Sequence, residues 1–450
     1  MTKKTDRCLS IIERDEKVYS QFARLPYYPL VIKKGHGAIV EDMDGNEYID
    51  MFSAAASLNT GVCHPRIVEA IKKQLDNYIS YTSAYMYNEP LVSLGEELFE
   101  ITPGDHEKRV VFGLSGSDAN DGAIKLARAY TGKKIIISFI GSYHGSTYGA
   151  LSLSAISLNM RRKVGPLLSE IEHIKYPNCY RCPLGCIPEK CNLECFNDFM
   201  NALNTYIPVD EIAAIFMEPI QGDGGIIVPP RKYMKAIYEF CKENNILFVS
   251  EEVQQGFGRT GKWFGIEHFD IVPDIIIMGK SMASGLPLSA VVARKEIAEA
   301  LDAPGHLFTM SGNALSCAAA VETIRVIRDE KLVERSRELG AYVKARFEEM
   351  KDKYEIIGDV RGLGLSIGVD LVKDRESKVG NKEAATKICY RCWEKGLILI
   401  YLANGVLRIQ PPLVITKEQL DKAIDIIEES IVEYINGEIS DEVLSVAKGW

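Results

Sequence analysis

The sequence predicts an α/β protein: a large, doubly wound, mostly parallel sheet domain, joined by a smaller α+β domain built from both chain ends. Three observations carry that prediction. Short β-branched strands, most of them apolar on both faces, alternate with amphipathic helices through the middle of the chain. The two flanks show hairpins and alternating strands instead. Glycine-rich loops follow several central strands, where an open parallel sheet gathers its ligands.

In chain order, "AIVEDMDGNEYIDMF" is a hairpin pattern around Asp44-Gly45. The central strands are "RVVFGL", "KIIISFI", "AAIFMEP", "ILFVSE", "DIIIMG" and "PLSAVVA", bounded by Gly, Pro or Asp. Between them, Ala123, Leu126, Ala127 and Tyr130 recur at i, i+3, i+4 and i+7, as do Met234, Ile237, Tyr238 and Cys241. Each set predicts a crossover helix with one buried stripe. Near the C-terminus, "GLSIGVDLV" and "GVLRIQPPLVI" read as strands separated by amphipathic helices. The expected division is 1–59 and 326–450 for the small domain and 60–325 for the large one, with the long helix starting near Asn313 as the link.

The 450 residues, 46% hydrophobic and 26% charged, are ordinary for a globular protein with a large core. A net charge of −9 without a basic block argues against nucleic acid or an anionic membrane as the partner, and favours a small molecule. "MTKKTDRCLSIIERDEK" has no apolar core of signal-peptide length, and "LILIYLA" is too short to cross a bilayer, so the expected compartment is the cytoplasm. Eleven cysteines without an export signal do not suggest a disulfide scaffold. Five of them, Cys179, Cys182, Cys186, Cys191 and Cys195, share one stretch, but only the first two form a CxxC pair. The expectation is a loop of free thiols without metal, against the alternative of a structural zinc.

Four stretches carry chemistry. Lys280 follows the apolar "DIIIMG" strand, where desolvation favours a nucleophilic amine and Schiff-base use, although most such lysines escape to solvent. In "FGLSGSDAND" a strand gives way to a helix through Ser115-Gly116-Ser117, which could hold a phosphate on free amides or simply cap the helix. Tyr143 and His144 end the next strand, where a flat side chain could stack on a ring or belong to the core. Finally, "ILFVSEEVQQGFGRTG" places two acids at a strand end; alternation turns Glu251 and Glu252 to opposite faces, so they cannot share a partner.

The ordered series "SGSDAN", "SYHGST", "EPIQGDGG", "EEVQQGFGRTG", "GKSMASGLPLSAVV" and "FTMSGNALSCAAA" resembles the class III aminotransferases, pyridoxal-phosphate enzymes of fold type I. The likeness runs from "VEDMDGNEYID" to "VLRIQPPLVIT". It implies that Lys280 binds pyridoxal 5'-phosphate covalently and then moves the substrate's Cα proton. It implies a phosphate cup at Gly116 and Ser117, completed by Thr309 of a partner subunit, hence a homodimer at minimum with a tetramer left open. Tyr143 and Val253 would flank the ring, Gln254 would bond its phenolic oxygen, and Glu251 would pair with the pyridine nitrogen where the family usually has Asp.

Several stretches, among them "GSDANDGAIKLARAYTG", "SLNMRRKVGP", "LDAPGHLFT" and the terminal "KGW", are similar to a branch of amino-acid racemases and epimerases of the isoleucine 2-epimerase type. Inversion needs proton transfer on both faces of a planar carbanion; Lys280 serves one and Asp223 is the candidate for the other, unless Asp223 only pairs with Arg408. By the resemblance Arg408 holds the substrate carboxylate, and Tyr81 with Tyr85 could line the site for a hydrophobic, branched side chain. The alternatives are an aminotransferase using an oxo-acid acceptor and, more remotely, a non-catalytic cofactor-binding protein.

Overall fold

The computed structural model describes residues 3–447 and Gly449; Lys448 and Trp450 of "KGW" lie outside them. The chain divides into two compact units, Met1–His64 with Glu334–Trp450, and Pro65–Val333. The division falls inside the helix Leu332–Lys353, so the helix Ala314–Asp329, capped by Asn313, lies wholly in the large unit and is not the link.

Strands β1 (Ile32–His36), β2 (Ile39–Asp42) and β3 (Glu47–Asp50) form an antiparallel ribbon. The β2–β3 turn is organised by the buried Asp42, whose carboxylate accepts from the Asp44 and Asn46 amides, both at 2.9 Å, and from the Tyr48 hydroxyl at 2.7 Å. Gly45 supplies the left-handed residue this turn requires, at φ 87°.

The large unit holds β4 (Lys108–Gly113), β5 (Ile135–Phe139), β6 (Ile171–Ile174), β7 (Ile212–Met217), β8 (Leu247–Glu251), β9 (Ile275–Met278) and β10 (Ser289–Arg294), in the order β4-β10-β9-β8-β7-β5-β6. The sheet is parallel except for β10, which runs antiparallel to both neighbours. Only residues 279–288 separate β9 from β10, fewer than a parallel crossover needs, so "PLSAVVA" must return antiparallel. The helices Gly116–Thr131 and Arg231–Glu243 occupy the two predicted crossovers. Ala123, Leu126 and Ala127 pack in the core against Ile136, Phe216, Val249 and Ile277. Tyr130 does not join them and is 41% exposed, because Gly132 ends the helix at φ 67° and the chain turns at once into β5. In the second helix the buried stripe is Tyr233, Met234, Ile237, Phe240 and Cys241, while Tyr238 is half-buried and bonds outward to the Val272 carbonyl.

The remaining strands belong to the small unit: β11 (Ile357–Leu363), β12 (Ser366–Leu371), β13 (Leu397–Ile398), β14 (Ile400–Leu402) and β15 (Val406–Ile409). One sheet has the order β11-β12-β15-β14, and β13 joins β3 in parallel, so both chain ends share a sheet.

Candidate active site at the strand ends of the large unit

The end of β8 separates its two acids. Glu252 is fully buried, and its carboxylate accepts from the Gly265 and Ile266 amides, both at 2.8 Å, and from the Ser250 hydroxyl at 3.1 Å. Burial pushes its carboxyl up to about 8, against the pull of those amides. It ties the glycine-rich loop to the strand. Glu251 points the other way: one oxygen bends back to the Val253 amide at 2.9 Å, and the other lies 3.6 Å from Nδ1 of His144. The extra methylene relative to Asp is thus absorbed by folding the side chain onto its own strand end.

His144 is buried beside Glu251, and neither ring nitrogen has a hydrogen-bond partner among the described residues. Its backbone is fixed instead, its amide by Ser154 Oγ at 2.8 Å and its carbonyl by Asn120 Nδ2 at 3.0 Å. The ring is thereby held against Glu251, which gives His144 a supporting place that its motif alone did not assign.

The helix Gly116–Thr131 begins with a capping box: Ser115 Oγ accepts from the Asp118 amide, and the Asp118 carboxylate accepts from the Ser115 amide. The capping role therefore falls to Ser115, and the amides of Gly116 and Ser117 bond to nothing among the described residues. Those two donors and the positive helix end suit an anion. Ser117 Oγ accepts from the Ser146 amide at 3.1 Å, which brings the Tyr143–Thr147 loop beside this helix.

Lys280 follows β9 and adopts φ 44°, a left-handed conformation that a lysine keeps only under constraint. It forms no ion pair among the described residues. A Cβ on the preceding Gly279 would meet Val253 at 3.4 Å and the Gly116 amide nitrogen at 3.5 Å. The helix start, the β8 end and the lysine are therefore neighbours.

A third carboxylate, unassigned from sequence, completes the cluster. Glu218 follows β7 and accepts from the Tyr143 amide at 3.1 Å and the Gly222 amide at 2.7 Å. Burial, and then the charge of Glu251, raise it well above the usual carboxylate range. The loop it supports carries Asp223, which is buried and accepts from Gln254 Nε2 at 3.0 Å. Tyr143 sits half-buried in the same cluster. The only sequence signal for Glu218 was an acid directly after an apolar strand in "EPIQ".

The donor set fits pyridoxal phosphate: two open helix amides for a phosphate, an unpaired lysine for a carbonyl, and a buried carboxylate backed by an imidazole for a ring cation. Gly116 also leaves the room a ring needs, since a Cβ there would approach Val253 to 3.0 Å.

Four expected site residues lie elsewhere. Tyr81 and Tyr85 are 64% and 77% exposed, and Thr309 is exposed, so none is enclosed by this chain's large unit. Arg408 belongs to the small unit, where it is buried on β15, bonded to Gln410 and 5.4 Å above the Phe52 ring. That burial removes the reading of a surface arginine.

A model of the aminotransferase class-III family matches residues 22–431. The chain is 48% identical over 448 residues to the isoleucine 2-epimerase of Lentilactobacillus buchneri, covering 99% of this chain and 100% of that one. It is 46% identical to the leucine/methionine racemase of Thermococcus litoralis, over 98% and 99% of the two chains. Among solved structures, a Bacillus anthracis aminotransferase superposes with a TM-score of 0.88 at 33% identity, over 96% of this chain and 100% of that one.

Proposed function

This chain belongs to the class III aminotransferase family, and on that premise we propose that it is a pyridoxal 5'-phosphate-dependent racemase or 2-epimerase acting on a hydrophobic amino acid. The observation that carries the reading is the near full-length similarity to an isoleucine epimerase and a leucine/methionine racemase. The buried Asp223, held by Gln254 just beyond the end of β8, agrees with it.

When bound, pyridoxal phosphate supplies the electron sink that acidifies the substrate's Cα–H bond. Gly116 and Ser117 hold the phosphate through their amides, and Thr309 reaches it from a second subunit. Tyr143 and Val253 enclose the ring faces and keep water away. Glu251 keeps the ring nitrogen protonated, with His144 behind it; Gln254 orients Asp223 and the phenolic oxygen. Lys280 would hold the cofactor's carbonyl carbon through its amine, and that same amine is the group placed to move the Cα proton on one face. Asp223 takes or returns the proton on the other, directly or through a water. By the family resemblance Arg408 would receive the substrate carboxylate with its planar fork, and Tyr81, exposed on this chain, would line the side chain's place only with a second subunit covering it.

The homodimer is supported by an apolar patch. Ile79, Tyr81, Tyr85 and Met86 are exposed on one segment, and Leu307 and Met310 on another, with Ser83 Oγ bonded to the Ser311 carbonyl at 2.5 Å between them. A surface of that kind marks a protein interface. No helix among the described residues is long and apolar enough to cross a membrane, and all eleven cysteines are free thiols, which suits the cytoplasm.

The deciding experiment incubates the holoenzyme with single L-amino acids, isoleucine, leucine and methionine, without any oxo acid, and follows chirality and α-deuterium uptake. Inversion is expected; an absolute requirement for an oxo acid would make the protein an aminotransferase. Asp223→Asn should retain α-proton exchange while inversion falls by about 100-fold. Undiminished inversion would remove Asp223 from the mechanism.

A further inference from the structure

The segment from the end of β6 to the first turn of the helix Glu194–Leu203 contributes nothing to the reaction described above, yet it concentrates five of the eleven cysteines. Before that helix its only regular structure is a single helical turn, Pro188–Lys190. All five thiols are free. The fold does not scatter them. Cys186 Sγ, Cys191 Sγ and a Glu194 oxygen lie within 4.8 Å of one another, and Cys191 Sγ bonds to Glu194 Oε2 at 2.8 Å. Cys186 is within hydrogen-bonding reach of Cys182, and Cys179 and Cys195 are near enough to Cys191 for their charges to interact.

We propose that Cys182, Cys186, Cys191 and Glu194 form a structural zinc site. Tetrahedral thiolates at about 2.3 Å from zinc stand ~3.8 Å apart, a separation these atoms reach by small side-chain rotations. The backbone already presents them. Cys182 opens a turn closed by the Gly185 amide at 3.0 Å, with Gly185 at φ 71°, and this returns the chain to Cys186. Cys191 and Glu194 are two residues apart, a spacing common in zinc ligand pairs, and the Asn192 amide donates to the same Glu194 oxygen at 2.8 Å. Three soft sulfurs and one carboxylate suit zinc and exclude magnesium or calcium, which take oxygen ligands. Two ligand pairs on one loop with no regular core of its own are what a metal can staple, since few apolar contacts would otherwise hold such a segment.

The staple has a route to the reaction centre. Tyr176, buried at the start of the same loop, donates its hydroxyl to the Glu218 carbonyl at 2.9 Å. Glu218 in turn holds the Tyr143 and Gly222 amides, so order in the cysteine loop supports the loop that carries Asp223.

Binding converts three thiols to thiolates and releases their protons, so the test begins with metal content. The full-length holoenzyme, purified without a histidine tag under reducing conditions and dialysed against a weak chelator, should retain one zinc per chain by mass spectrometry. Mercurial titration of the thiols should release it. Cys186→Ser and Cys191→Ser should each cut retained zinc at least tenfold, whereas Cys63→Ser, outside the loop, should leave it unchanged. If the serine variants do not fold, the wild-type protein stripped and reloaded with cobalt should show the thiolate charge-transfer and intense d–d bands of a tetrahedral site. Glu194→Gln should shift those bands. Zinc below about one-tenth equivalent after reloading, a disulfide among these cysteines in the reduced protein, or stoichiometric zinc that survives Cys186→Ser with Cys191→Ser would overturn the proposal. None of these readouts depends on whether the enzyme racemises or transaminates.

Discussion

At Glu251 and Glu252, two adjacent residues of the same type have opposite fates because neighbouring strand side chains face opposite ways. Glu251→Gln removes the negative charge but keeps the length, and should lower inversion by roughly 100- to 1,000-fold while cofactor remains bound. Full activity in that variant, read by circular dichroism of the amino acid, would contradict its pairing with the ring nitrogen. Glu252 gives a stability signature instead. Its value in the folded state, about 8, lies above the ordinary 4.5, so the folded protein holds an extra proton between those pH values. That contribution is complete below pH 4.5 and is lost as pH rises through 8. Glu252→Gln cannot ionise, so its melting temperature should fall less than that of the wild type across the same window. Identical pH slopes in the two proteins would show that Glu252 is not protonated there. Glu218 and the partner of His144 escaped sequence reading for one reason: each residue matters through a group on another strand, and no local pattern names that group.

The site is a meeting of element ends. The helix Gly116–Thr131 starts where β4 stops, β8 ends in Glu251, and β9 ends one residue before Gly279. Val253 is the contact that sets their spacing, since a Cβ on Gly116 would meet its two methyls at 3.0 and 3.1 Å. Gly116→Ala should therefore push the helix start away from the β8 end by a few tenths of an ångström. Its expected result is weaker cofactor retention, measured by equilibrium dialysis, in a protein whose far-ultraviolet circular dichroism is unchanged. Adding Val253→Ala should restore part of that retention, because it frees the space the new methyl needs; two additive losses would disprove this coupling. Gly145 plays a similar part nearby: at φ 136°, any Cβ would lie 2.1 Å from Ser117 Oγ. Both glycines stand in quoted motifs, but the atoms they make room for are visible only in the folded chain.

For the molecule as a whole, the exposed tyrosines and methionines around residues 79–86 and 307–310 predict a dimer that dilution does not easily undo. Sedimentation at micromolar concentration should give twice the chain mass, and Tyr85→Asp with Met310→Asp should shift it toward monomer and reduce activity in parallel. A monomeric, fully active wild type would sink both the dimer and the role given to Thr309. Periodicity and turn residues made the six quoted central strands and the two crossover helices legible, because burial on a strand or helix repeats every two or three to four residues along the chain itself. The motifs named Lys280, Gly116, Asp223 and Glu251 as candidates by residue and order. What only the tertiary structure decided is who faces whom: Glu218 beside Glu251, His144 behind it, Gln254 on Asp223, Tyr81 left on the surface, and Cys186, Cys191 and Glu194 drawn together. In the strand-end cluster those contacts join residues as distant along the chain as His144 and Glu251 across the order β5-β7-β8-β9, and that order comes from packing the whole sheet, which no window of sequence contains.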